Sequence, residues 1–241
     1  AGKFVANAIW ATPFCTFLRE HITERVYGFG LNNYYQLGAK KTGKNEYEHF
    51  PVLCPFENAK AIAGGQHHTI VLTNDHKVHA IGRRDYGRLG LGDVKSDVEQ
   101  LTPVGALQKH EIVDISCGDS NSFAVTKDGK IYVWGLGTNS QLGTGDEDDV
   151  SEPKLLEGAQ VRDKNVLCVN SGGQHSLFIV EAPPTVTKAV KPIEVVAANE
   201  SEASPKVNGD AEKPASKGNK KKTTAAAEPP VIAESDSTTD V

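Results

Sequence analysis

Apolar residues in this chain come in short runs cut by Gly, Pro and polar turns, and no stretch carries the spacing of a long amphipathic helix. Val26-Tyr27-Gly28-Phe29-Gly30, Val78-His79-Ala80-Ile81-Gly82 and Ile131-Tyr132-Val133-Trp134-Gly135 are versions of one run. Each leads to a Leu-Gly signal, in Gln36-Leu37-Gly38, Arg88-Leu89-Gly90 and Gln141-Leu142-Gly143. The copies start at residues 26, 78 and 131, a period of 52 to 53. A second run keeps the same beat, in Gly64-Gly65-Gln66-His67-His68-Thr69, Cys117-Gly118-Asp119-Ser120-Asn121-Ser122 and Gly172-Gly173-Gln174-His175-Ser176. Short strands repeating at this period, joined by turns such as Asn74-Asp75 and Asp128-Gly129, predict the blades of a β-propeller and disfavour an α-solenoid.

The expected fold is therefore all-β, a partial propeller of about three complete four-stranded blades plus part of a preceding one. On this reading residues 1–25 end that preceding blade, with Phe14-Cys15-Thr16-Phe17-Leu18 as its closing strand. Residues 26–77, 78–130 and 131–181 are propeller repeats, and 182–241 form a tail. The tail has no aromatic residue and is dominated by Ala, Pro, Lys, Glu, Ser and Thr. Such a composition buries too little apolar surface to offset its ordering entropy, so disorder is expected there. The chain contains no Met and opens inside an apolar stretch, which reads as the C-terminal piece of something longer.

Charge and chemistry narrow the function. A net charge of −5 argues against coating nucleic acid by bulk charge, although it leaves room for local basic patches. Cys15, Cys54, Cys117 and Cys168 never form Cys-x-x-Cys, so they read not as a zinc site but as core thiols in a reducing compartment, an extracellular disulfide pair being the alternative. No apolar run is long enough to span a bilayer as a helix, and no membrane partner is expected. The recurring glycines match neither phosphate-loop nor dinucleotide-binding spacing and read as turn residues. Asp146-Glu147-Asp148-Asp149 lacks the glycine and terminal glutamate of a calcium loop. No nucleophile-base set recurs, so neither a cofactor nor a small-molecule substrate is expected. In the tail, Lys217, Lys220, Lys221 and Lys222 form a basic cluster between acidic flanks, a candidate nuclear-localisation or DNA-contacting element, with a solvated linker segment as the favoured alternative.

The order of Val-Tyr-Gly-Phe-Gly, Gln-Leu-Gly, Pro and Gly-Gly-Gln-His-His-Thr resembles the repeats of the regulator of chromosome condensation family, over about residues 26–181. Tyr86-Gly87-Arg88-Leu89-Gly90-Leu91-Gly92 is among the most distinctive runs. The resemblance implies a seven-bladed parent, nuclear and chromosome-associated, that exchanges guanine nucleotide on the small GTPase Ran without covalent chemistry. It also implies Ran and chromatin as partners, the nucleosome being held through regions largely absent from this chain. His67 and His175, read here as occupying one repeated slot, match the face that docks the GTPase, as does Asn33. Tyr35 stands where a histidine is familiar, so its role there is open. A blade-stabilising role for the histidines is the competing reading. Against it, Ser120 fills the slot in the middle repeat. The competing function is a non-catalytic propeller scaffold.

Overall fold

A computed structural model describes residues 4–40 and 46–181. Among the described residues fourteen strands form four antiparallel sheets. The first holds β1 (Ala6–Ala11), β2 (Cys15–Glu20), β3 (Val26–Leu31) and β4 (Tyr47–Cys54) in that order. The second holds β5 (Ala59–Gly64), β6 (His68–Thr73), β7 (Val78–Gly82) and β8 (Val98–Pro103). The third holds β9 (Ile112–Cys117), β10 (Asn121–Thr126), β11 (Ile131–Gly135) and β12 (Val150–Leu155). β13 (Val166–Ser171) and β14 (Ser176–Val180) make a two-stranded fourth sheet. Among the described residues the only helical pieces are single 3-10 turns at Asp85–Gly87 and Gly105–Leu107.

The first strands β1, β5, β9 and β13 touch one another in turn, which makes them the inner edges of successive blades. The partial propeller expected from the repeats is thus present, with three four-stranded sheets and one incomplete sheet. Its phase differs from that of the sequence repeat. Positions 26, 78 and 131 begin the third strand of each sheet, so one repeat contributes two strands to one blade and two to the next. Residues 1–25, expected to end a preceding blade, hold β1 and β2 of a complete sheet, and the incomplete sheet lies at β13 and β14. The repeat can be framed at any point; only strand pairing decides which strands share a sheet.

Each interface between sheets is a dry core built by the period-two alternation of strands. Val71 of β6 packs toward the first sheet with Phe17, Leu37 and Phe56, while Ile70 and Leu72 pack toward the third with Ile115 and Trp134. Phe123 and Val125 of β10 then face Val166 and Val169 of the last sheet. Sandwiched on both faces, β6 and β10 are buried at every position, whereas β14 is half-buried along one face and exposed along the other. Cys15 and Cys54 sit in the first of these cores, Cys117 and Cys168 are half-buried, and all four are free thiols.

The recurring glycines have a steric cause. Gly82 and Gly135 end their strands at φ of 122° and 108°, where a Cβ would lie 2.5 Å from the His67 carbonyl oxygen and 2.4 Å from that of Ser120. Only glycine lets the third strand reach over the inner turn at this point. The ladder also slips between Ala80 and Gly82, and between Val133 and Gly135, a bulge that bends the fourth strand away.

Candidate docking face

Antiparallel order places the turns between first and second strands, and between third and fourth, at one end of every sheet. Asn33, Tyr35, His67 and His175 all lie in those turns and so share one end of the molecule. Asn33 and Tyr35 adjoin His67 through Tyr34, whose ring meets the His67 imidazole edge-on at 5.0 Å. His175 sits in the last sheet, with the whole third sheet between it and His67.

Turn hydrogen bonds correct the pairing of the histidines. The N–H of Gly65 donates to the His68 carbonyl, that of Gly118 to Asn121, and that of Gly172 to His175. His175 is therefore the counterpart of His68 and Asn121, and the slot of His67 holds Ser120 and Gln174. The doubled glycines Gly64-Gly65 and Gly172-Gly173 permit a one-residue slip in the sequence that only the backbone bonding resolves.

The two slots behave differently. His68 is 1% exposed, and its Nε2 lies 2.8 Å from Ser122 Oγ of the next sheet. Ser122 in turn donates to the Arg88 carbonyl at 3.0 Å, which Trp134 Nε1 also reaches at 3.0 Å. With the hydroxyl proton so directed, His68 Nε2–H is the donor to Ser122. Burial, then the Arg88 and His67 charges, push the His68 pKa down to about 3, so the ring is neutral. The same pin recurs as Thr69 Oγ1 to the Gln36 carbonyl and Ser176 Oγ to the Gln141 carbonyl. Blade cohesion thus explains His68. His175, at the open flank, is exposed.

His67 instead belongs to a surface cluster. Phe14 stacks on it at 6.2 Å, and the Arg83 guanidinium lies over the Tyr34 ring at 5.0 Å. Arg83 grips Asp85 through Nε at 2.7 Å and Nη2 at 2.6 Å. Arg88, 1% exposed, reaches under the Tyr86 ring at 5.4 Å. Burial and these two guanidiniums lower the His67 pKa. Asn33 Oδ1 accepts from Gln36 Nε2 at 2.9 Å, which organises its own loop. The Tyr35 phenol is hydrogen-bonded to Glu99 of β8, and that bond and charge raise its pKa. Tyr34, Arg83, Tyr86 and Arg88 escaped the sequence reading; the signal was Arg88, the one Arg-Leu-Gly among copies reading Gln-Leu-Gly. The lysines 217 and 220 to 222 lie outside the described residues.

Among the described residues no cluster of His, Cys, Asp or Glu could hold a metal, and no helix is long and apolar enough to cross a membrane.

Comparison with known proteins agrees with a propeller fold. Residues 2–178 match the RCC1-like domain, and the chain belongs to that family. The regulator of chromosome condensation of Drosophila melanogaster is 46% identical over 189 residues, 78% of this chain and 34% of that protein. The human regulator is 42% identical over 161 residues, 65% of this chain and 37% of that protein. The chain thus spans about a third of the length of these relatives. The human ubiquitin ligase HERC2 is 37% identical over 186 residues, 75% of this chain and 4% of that protein. In structure the chain superposes on Prp20p of Saccharomyces cerevisiae, described with its binding to Gsp1p and histones, at a TM-score of 0.66 and 23% identity, covering 75% of this chain and 44% of Prp20p.

Proposed function

We propose that this chain is part of a guanine-nucleotide exchange factor for a Ran-type GTPase, acting on chromosomes in the nucleus, and that the end bearing Asn33, Tyr35, His67 and His175 belongs to its docking face. The observation that carries this reading is the 46% identity to a regulator of chromosome condensation over 78% of the chain. Exchange breaks no covalent bond, which suits a face of turns without a catalytic set. A nucleotide bound at nanomolar affinity is held by about 12 kcal/mol, and the factor must offset that by binding the empty GTPase comparably well. So large a term needs an extended interface centred on aromatic and arginine anchors, the composition found around His67. Chromatin association is proposed from the relatives' shared name.

The test is release of labelled GDP from Ran by the intact protein containing this chain, with acceleration expected. HERC2, a ligase with a matching stretch, favours a second reading, a propeller used as a scaffold. Ran release at the spontaneous rate, with the propeller folded, selects that scaffold reading.

A further inference from the structure

The Gln slot of the Leu-Gly signal shows what Arg88 costs the fold. Gln36 and Gln141 each accept a loop N–H through Oε1, from Tyr34 at 2.8 Å and from Asn139 at 2.7 Å. An arginine has no acceptor, and at position 88 the side chain instead donates Nε–H to the Asp85 carbonyl at 2.9 Å. Its Nη1 is buried without a partner. Burying a cation whose donors are not all paired costs free energy that a glutamine would avoid. Burial, and Arg83 nearby, hold Arg88 below the usual guanidinium pKa.

The Asp85 carboxylate is gripped by Arg83, while Arg88 meets Asp85 through the backbone carbonyl. Tyr86 covers Arg88 while itself 49% exposed, at a φ of 62° that non-glycine residues rarely adopt. Around this cationic point the described turns at the same end carry an excess of acid, with Asp93, Asp97 and Asp119 and the run from Asp146 to Asp149 against Arg84 and Lys95. Such a surround repels a phosphate backbone. It suits a protein surface that is basic with a single acidic residue in its midst.

We propose that Arg83 and Arg88, sheathed by Tyr34 and Tyr86, form a socket for one Asp or Glu side chain of the docked protein, Tyr86 being the ring displaced when that carboxylate enters. The socket rests on the docking reading above and names what part of the face recognises. The incoming carboxylate takes the open Nη1 of Arg88 in a charge-assisted bond, and the two arginines then hold two carboxylates.

The test is Arg88→Gln in the intact protein, with affinity for nucleotide-free Ran and the thermal midpoint measured together. Binding about tenfold weaker or more, with the midpoint unchanged or raised, is expected, because glutamine is what the neighbouring sheets use in this slot. A role confined to the fold lowers the midpoint and leaves affinity per folded molecule unchanged, which overturns the proposal. Unaltered affinity at an unaltered midpoint overturns it as well, while wild-type exchange still upholds the docking reading. If the wild type neither binds nor discharges Ran, the docking reading fails on its own. The socket is then judged by titrating N-acetyl-aspartate amide against the Nε–Hε signals of Arg83 and Arg88. Shifts there that vanish in Arg88→Gln sustain it, and their absence refutes it.

Discussion

At the residue scale, adjacent histidines have been put to different uses. The His67 slot holds Ser120 and Gln174 in other sheets, so the blade does not depend on an imidazole there. His67→Ala is expected to slow exchange in the intact protein while changing stability by less than about 1 kcal/mol. His68 fills the gap between two sheets, and His68→Asn, the residue of the third sheet, should cost about 1 to 3 kcal/mol through a lost hydrogen bond and imperfect packing. A pH signature accompanies it. With a folded pKa near 3 against an ordinary imidazole value of 6.5, the unfolded chain takes up a proton that the folded one refuses. The stability due to the neutral ring is full above the unfolded pKa and falls with pH toward the folded one, by about 1.4 kcal/mol per unit. Denaturant midpoints should therefore drop more steeply in wild type than in His68→Asn between pH 6.5 and about 4.5. Parallel curves would show that His68 is already protonated in the fold.

At the element scale, the middle strands were legible, while the outer ones and the inner strand β1 were not. β6, β7, β10 and β11 each carry a short, largely apolar run because sheets cover both their faces. β8 and β12 are edge strands, half exposed along their length, and Val-Glu-Gln-Leu-Thr-Pro and Val-Ser-Glu-Pro-Lys-Leu carry no periodic signal. Proline is admitted in both because an edge strand can spare the donor. The turns of the proposed docking face that bear Asn33, Tyr35, His67 and His175 were legible as repeated motifs. Its cationic core was hidden, because the stacking of Arg83 on Tyr34 joins residues of different sheets. Glycines that end third strands are open to a direct test. Gly135→Ala is expected to destabilise the protein by about 2 to 4 kcal/mol, since the new Cβ meets backbone and the φ is strained. Gly105→Ala, with nothing within 4 Å of the added carbon, is the control and should be nearly neutral. Equal midpoints for both variants in thermal melts would refute the steric account.

At the scale of the whole molecule, the two flanks of the stack are unlike its interior. Leu177 and Ile179 of β14 point away from the third sheet and are 68% and 58% exposed, although the matching faces of β6 and β10 are fully buried. On the first sheet Ile9 is likewise bare. Apolar strands left open in this way associate with whatever completes them. This stretch expressed alone should self-associate with rising concentration in sedimentation experiments, and Leu177→Glu with Ile179→Glu should suppress that. Its exchange activity should also be low. The proposed interface draws on turns from every blade, and a face holding a fraction of them cannot offset the roughly 12 kcal/mol that retains a nanomolar nucleotide. Release from Ran by the soluble stretch is expected at least about a hundredfold below that of the intact protein, equivalent to about 2.7 kcal/mol of lost transition-state stabilisation. Near-normal release from a monomeric preparation would place the whole activity on these blades and refute a distributed face.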